Sequence, residues 1–288
     1  MARGFSMGWT VVEDWLNQAS LHFLGGVLVV LMLLAVGVGV ALHHWNYRAG
    51  RVRAEREGDL EGLVVSAVLG LLALLMGFTF SLAVDRFDTR RALVLVEANA
   101  IGTAYLRAQL LQAPHRARLS GLLLAYTDNR IALAKSAKPR TGERLAENDR
   151  LVTELWAATA AAVPSIRDPG LTGALLQSLN AVIDLDAARK TARMVRVPAE
   201  VFAVLFVYLI GTAGVLGYVF VGNRGRGAAA FMLLLLTLSF LLILDIDRPT
   251  MGGVREDQGP MEQLLVSLKA QPPPVFDRYR AAGNAAPD

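Results

Sequence analysis

The chain has 288 residues, with 54% apolar side chains, 19% charged ones and a mean hydropathy of +0.42, which is too apolar for an ordinary soluble domain of that length. The formal charge of +4 is carried mainly by arginine, the only lysines being Lys135, Lys138, Lys190 and Lys269. Cysteine is absent, which excludes disulfides, thiolate metal sites and cysteine nucleophiles, and the composition as a whole argues against a wholly soluble enzyme.

Residues 1–20 form an N-terminal segment in which Trp9 to Leu16 reads as a short amphipathic helix lying on a membrane surface. Leu21 to Leu42 is the first run long enough to cross hydrocarbon, which takes about 20 apolar residues at 1.5 Å each. Glu13 and Asp14 precede it and no small-residue cleavage site follows, so it reads as a retained span and not as a signal peptide. In the loop from His43 to Gly62, Trp45 and Tyr47 fit interfacial anchors, as do Trp9 and Trp15 before the span. His43 and His44 have no further ligand candidates beside them and read as interfacial. Leu63 to Val84 is the second span. No Gly or Pro follows it until Gly102, so the span is expected to continue outward as one long helix.

Residues 85–198 form an insert with 17 Lys and Arg against 11 Asp and Glu, which concentrates the positive charge of the protein there. Its patterning is helical: Asp88 to Leu111, His115 to Lys135, a turn-rich Ser136 to Gly142, Glu143 to Val163, and Leu171 to Arg196. Asp168-Pro169 reads as the N-cap and first residue of the last of these. The third and fourth spans, Ala199 to Val221 and Ala228 to Leu244, are joined by a loop of six residues, Gly222 to Gly227. Gly211, Gly214 and Gly217 in the third permit tight packing or bending. The tail, residues 245–288, carries one helix over Met261 to Ala270, then three prolines and a terminus expected to be disordered.

The fold class is therefore an all-α integral membrane protein with four transmembrane helices in two pairs and a helical insert between spans 2 and 3. Ten Lys and Arg (Arg3, Arg86, Arg90, Arg91, Arg189, Lys190, Arg193, Arg196, Arg248, Arg255) flank the face shared by the insert and both termini. Six (Arg48, Arg51, Arg53, Arg56, Arg224, Arg226) lie on the other, which places the insert and termini in the cytosol, with the bilayer being the bacterial inner membrane.

On a helical wheel Ser66, Gly70, Ala73, Leu74, Gly77, Phe78 and Ser81 share one face of the second span. A small, partly polar face either packs against another helix or lines a pore. Arg86, Arg90 and Arg91 follow it, either as a positive-inside flank or as rings that attract anions at a pore mouth. Glu97, Asn99, Thr103 and Arg107 interrupt an Ala-rich helix, and Asp245, Asp247 and Arg248 end the fourth span; both sets read as structural polar networks, with gating or partner contact as the alternative. No catalytic arrangement, phosphate loop or metal-ligand set is found, so no cofactor, no metal and no nucleic-acid partner is expected.

The second span reads Leu74-Leu75-Met76-Gly77-Phe78-Thr79-Phe80-Ser81-Leu82-Ala83-Val84-Asp85-Arg86-Phe87. It resembles the pore helix of bestrophins, where a Gly-Phe pair precedes a hydroxyl residue, aliphatics and an Arg-aromatic pair. Glu97-Ala98-Asn99-Ala100-Ile101-Gly102-Thr103-Ala104 and Asp245-Ile246-Asp247-Arg248-Pro249 resemble the bacterial bestrophin-like membrane proteins, over nearly the whole chain. The resemblance implies a pentameric anion channel, chloride among its ions, with cytosolic termini and a central pore narrowed by a hydrophobic neck. The neck positions fall on Gly70, Leu74 and Phe78, and Gly70 leaves its ring open. Animal bestrophins carry an acidic run after the fourth span that helps to bind calcium; only Asp245 and Asp247 stand there, so calcium control is not implied. The competing reading from the residues is a membrane-anchored sensor or scaffold whose helical domain binds a partner.

Overall fold

The structure, a computed structural model, describes residues 19–49, 57–136, 138–221, 223–249 and 252–283. The interfacial helix expected over Trp9 to Leu16, and Arg51, Arg53 and Arg56, lie outside them. Among the described residues every long element is an α-helix: α1 (Leu21–Arg48), α2 (Glu57–Ala108), α3 (His115–Lys135), α4 (Lys138–Ala162), α5 (Pro169–Met194), α6 (Ala199–Val219), α7 (Asn223–Asp247), α8 (Gly259–Ala270) and α9 (Pro273–Gly283). The chain divides into a membrane unit, Met1–Phe87 with Val195–Arg255, and a helical unit, Asp88–Met194 with Glu256–Asp288.

Among the described residues four helices are long and apolar enough to cross a bilayer; they contain the first, second and fourth expected runs, while the third stops at Val219, two residues short of the expected Val221. α1 starts where Ser20, in extended backbone, accepts the Phe23 amide at 3.1 Å, and Arg48 in its last turn complements the negative helix end. α2 has 52 residues, about 78 Å of helix against a hydrocarbon thickness of about 30 Å, so most of its length lies outside lipid. It ends in a tightened turn, with Leu111 N donating to Ala108 O at 3.1 Å.

In the membrane unit the core is made by Leu28 and Met32 of α1, Leu72 and Met76 of α2, Leu205 and Leu209 of α6, and Phe240 and Ile243 of α7. Phe202 meets Phe240 edge to face at 6.1 Å. α1 and α6 approach until their backbones touch: a Cβ on Gly39 would overlap the carbonyl oxygen of Gly214, and one on Gly217 that of Val36. Gly211, the first glycine of the three-residue series, has open space beside it, because each three-residue step turns the face by about 60°.

In the helical unit Val94 and Ile101 of α2, Leu119 and Leu123 of α3, Leu151 and Leu155 of α4, Leu175 and Leu179 of α5, and Met261 of α8 form one core, each at most 2% exposed. The N-cap reading at Asp168 holds, its carboxylate accepting the Gly170 amide at 2.8 Å. Two expectations are corrected. α4 begins at Lys138, not at Glu143, since Pro139 falls in the first turn, where its missing N–H costs nothing. The prolines after Ala270 open α9, which continues to Gly283, residues 284–288 lying outside the described ones; Arg116 donates to Asp277 at 2.5 Å and Tyr105 meets Phe276 edge to face at 6.5 Å, fixing this helix to the unit.

The seam between α1 and α6 yields a test. Gly39→Val places a branched side chain where the α6 backbone stands, and a loss of about 1–3 kcal/mol is expected; Gly26→Ala, whose Cβ meets nothing within 4 Å, should leave stability unchanged or slightly raised. Melting temperatures in detergent check the pair, and equal values would refute the close seam.

Candidate functional site

α2 is the least covered of the four spans within its own chain. Of its apolar window 17% is buried, against 28%, 39% and 33% for the windows of the other three. Its inward side in the membrane unit is Val65, Leu72, Met76, Thr79 and Ala83. The opposite side carries the predicted neck and pore residues: Leu74 is 54% exposed, Phe78 63%, and Gly70, Gly77 and Ser81 are exposed with them. A Cβ added at Gly70 or Gly77 would meet nothing within 4 Å, so these glycines serve no helix contact inside the chain. Exposed positions recur at intervals of three and four along α2, through Gly70, Leu74, Gly77, Ser81, Asp85, Asp88, Ala92, Leu95, Asn99, Thr103 and Leu106, leaving one side of the helix uncovered over about ten turns.

The arginines after this stretch separate. Arg91 is exposed and Arg86 half-buried. Arg90, expected with them at a pore mouth, is 2% exposed and faces Glu256 Oε1 at 3.3 Å, while Arg193 donates to Glu256 Oε2 at 3.3 Å. The correction has a simple cause. Arg90 falls on the inward side of the helix, about 160° round from Leu74.

The network expected around Glu97 forms, with different partners. Glu97 is fully buried. Tyr126 donates to its Oε1 at 2.6 Å, Arg130 pairs with it at 3.1 Å, and Arg189 Nη1 donates to its Oε2. Arg130 Nη1 also donates to Asp186 Oδ1 at 3.2 Å, a carboxylate that accepts from Asn148 Nδ2 at 2.8 Å and from Lys190 Nζ at 2.7 Å. Lys190 reaches on to Asp149 at 2.6 Å. Three cations thus meet three carboxylates across α2, α3, α4 and α5. Burial and then the Glu97 charge push the Tyr126 phenol well above its ordinary value. Burial pulls Arg130 down, but Tyr126, Glu97 and Asp186 more than offset it, whereas for Arg189 burial prevails over Glu97 and the guanidinium is lowered. For Lys190 burial is outweighed by Asp149 and Asp186, which raise it.

Asn99 does not join this cluster. Two residues on from Glu97 it points away from the core and is exposed. Arg107 lies apart too, donating to the Ala174 carbonyl at 2.6 Å. In the membrane unit Asp245, Asp247 and Arg248 serve backbone groups: Asp245 accepts the Gly253 and Val254 amides at 2.7 and 3.1 Å, Asp247 accepts Val197 N at 3.0 Å, and Arg248 donates to Ala19 O at 2.9 Å. Among the described residues no group of three His, Asp or Glu is placed to hold a metal ion.

Arg130 and Asp186 go unselected from the sequence, which marks Arg189 only as a positive flank, yet all three carry a signal. Leu119, Leu123, Tyr126 and Arg130 share one register, as do Leu175, Leu179, Val182, Asp186 and Arg189, so charges stand at positions the helical period assigns to the core.

These spans and this fold define an all-helical integral membrane protein. The chain belongs to the bestrophin-like family, whose model, the Bestrophin-like domain, matches residues 29–255. A solved structure of a bacterial bestrophin homolog from Klebsiella pneumoniae is similar at 16% identity, with a TM-score of 0.63 over 90% of this chain and 98% of that one. Two further structures of that homolog have TM-scores of 0.60 and 0.58 at 16% and 17% identity, each over 87% of this chain and over 97% and 98% of theirs. At such identities the likeness is one of fold. No curated protein sequence gives a match.

Two variants test the buried cluster. Glu97→Ala leaves Arg130 and Arg189 without their shared carboxylate and should cost about 3–5 kcal/mol. Tyr126 has a folded pKa above its unfolded one, so its contribution is complete below the unfolded value of 10.0 and declines as pH rises past it. Between the two values each pH unit removes about 1.4 kcal/mol. Melting curves from pH 8 to 11.5 should therefore fall more steeply for the wild type than for Tyr126→Phe; parallel curves would show that the phenol is not held neutral by the fold.

Proposed function

We propose that the chain is the subunit of a bestrophin-like ion channel, selective for anions, in which copies form a homopentameric ring with α2 innermost. The observation that carries this is the uncovered side of α2. A span on which Gly70 and Gly77 have open space beside them and Leu74 and Phe78 are more than half exposed needs either lipid or other copies around it, and the glycines and Ser81 on that side are poorly suited to lipid alone. In the ring, Leu74 and Phe78 form an apolar neck that closes by dewetting, with Gly70, Gly77 and Ser81 lining the path beside it. Arg86 and Arg91 supply positive charge at its inner mouth, offset in part by Asp85 and Asp88 on the uncovered side, whereas Arg90 is spent on Glu256. Glu97 and its partners hold the helical unit on the same helix, and Asp245, Asp247 and Arg248 fix the ends of the spans; both clusters position the channel and do not touch the ion. The helical unit and both termini are cytosolic and the membrane is the bacterial inner membrane.

Mass measurement in nanodiscs should give five copies, and a stable monomer would count against a central pore. In liposomes Leu74→Ala and Phe78→Ala should raise chloride flux severalfold, by widening and wetting the neck. Phe80→Ala, about 160° round the helix from Phe78, should not. Equal behaviour of the two Phe variants would displace the neck from this side of α2, and absence of flux in every variant would favour a membrane-anchored scaffold. Orientation is read from single cysteines in this cysteine-free chain. In intact cells a cysteine at Ala49 should react with an impermeant maleimide and one at Ser165 should not.

A further inference from the structure

Away from the side assigned to the pore, the membrane unit holds a cavity of about 450 Å³ between α1, α6 and α7. Its walls are apolar, with Val36 from α1, Leu216 and Phe220 at the end of α6, and Leu234 from α7. The gap exists because α6 stops at Val219 and Phe220 turns against the first turn of α7; a Cβ on Gly225 would lie 2.6 Å from the Phe220 ring. Two polar residues reach the cavity, Thr237 and Arg226. The Thr237 hydroxyl is engaged by the Leu233 carbonyl at 2.8 Å. Arg226 is exposed in the first turn of α7, where the apolar run of that span begins, which is headgroup depth.

Charge at this end of the spans is basic on balance, six arginines (Arg48, Arg51, Arg53, Arg56, Arg224, Arg226) against four carboxylates (Glu55, Glu57, Asp59, Glu61). α1 finishes there on Arg48, beside the end of α6, as the Asn46 Nδ2 bond to Tyr218 Oη at 3.4 Å shows. The carboxylates all belong to the stretch that leads into the second span, whereas the α1 end and the α7 start, which border the cavity, carry Arg48, Arg224 and Arg226 and no acidic residue. An apolar cavity at hydrocarbon depth is not filled by water, and a basic residue at its rim selects an anionic headgroup. We propose that this cavity seats one acyl chain of an anionic glycerophospholipid, with its phosphate on Arg226. The site stands independently of the channel reading, because it lies within one chain and does not involve α2.

Native mass spectrometry of protein released from nanodiscs of mixed phosphatidylglycerol and phosphatidylcholine tests it. The wild type should retain phosphatidylglycerol in preference, one per subunit, under conditions that strip other lipid. Arg226→Gln should lower that retention about fivefold, the factor given by ~1 kcal/mol for one basic residue at a lipid surface, and Arg226→Lys should keep it. Ala230→Trp, which fills the cavity from α7, should abolish retention of both lipids. Equal retention of phosphatidylglycerol by the wild type and Arg226→Gln overturns the proposal, and this comparison decides it if Ala230→Trp fails to assemble. Disulfide formation between copies of a Leu234→Cys variant also overturns it, since a second copy of the chain would then cover the cavity.

Discussion

A peptide group in hydrocarbon has no water to bond, so each crossing has to close its own hydrogen bonds, and a helix does this within a single segment. That requirement determines how the membrane unit is held together. Lipid surrounds apolar side chains as readily as protein does, so exposure of Val30 or Leu33 on α1 costs little, and association depends on how closely two helices approach. Gly39 and Gly217 provide the approach between α1 and α6. In the helical unit water is the alternative to burial, and there the core is built from large side chains such as Leu119, Leu155 and Tyr126, all fully enclosed.

Charge in the helical unit follows from the same environment. Six ionisable groups lie at the meeting point of α2, α3, α4 and α5, three of each sign. Glu97, Arg130, Asp186 and Arg189 are buried, and removing these four from water costs several kcal/mol each; their mutual attraction roughly returns it, so the cluster adds little net stability while punishing any arrangement that leaves one of them alone. A helix displaced by one turn would separate Arg130 from both Glu97 and Asp186. The network thus selects a register among packings that the apolar core by itself would accept.

The four spans and the long α2 were legible because length and apolar content suffice to define them, and no Gly or Pro interrupts α2 from Val84 to Gly102. The ends of insert helices were less so. Ser136 to Gly142 contains turn formers, yet α4 starts within it because a proline in a first turn is harmless. Glu97 was legible as a buried polar residue, but its partners come from helices 29 to 92 residues further along, and no local period names them. Counting arginines by flank placed Arg86, Arg90 and Arg91 together, although successive residues on a helix look in different directions. The helical phase, anchored by Leu72, Met76 and Val94, separates Arg90 from Arg91, about 100° round, while Arg86, one turn before Arg90 and about 40° from it, is half-buried.

The helical unit is assembled from two stretches of chain that are far apart in order of synthesis. Residues 88–194 leave the ribosome first, then the last two spans, and only afterwards Glu256 and Met261. At ordinary elongation rates the wait between Met194 and Met261 is about 3 to 13 s. Throughout it the slot that Met261 fills, among some of the best-buried residues of the protein, lies open to water. Synthesis of α6 and α7 therefore precedes closure of this core, and the domain stays half-finished until the chain beyond the last span has been made.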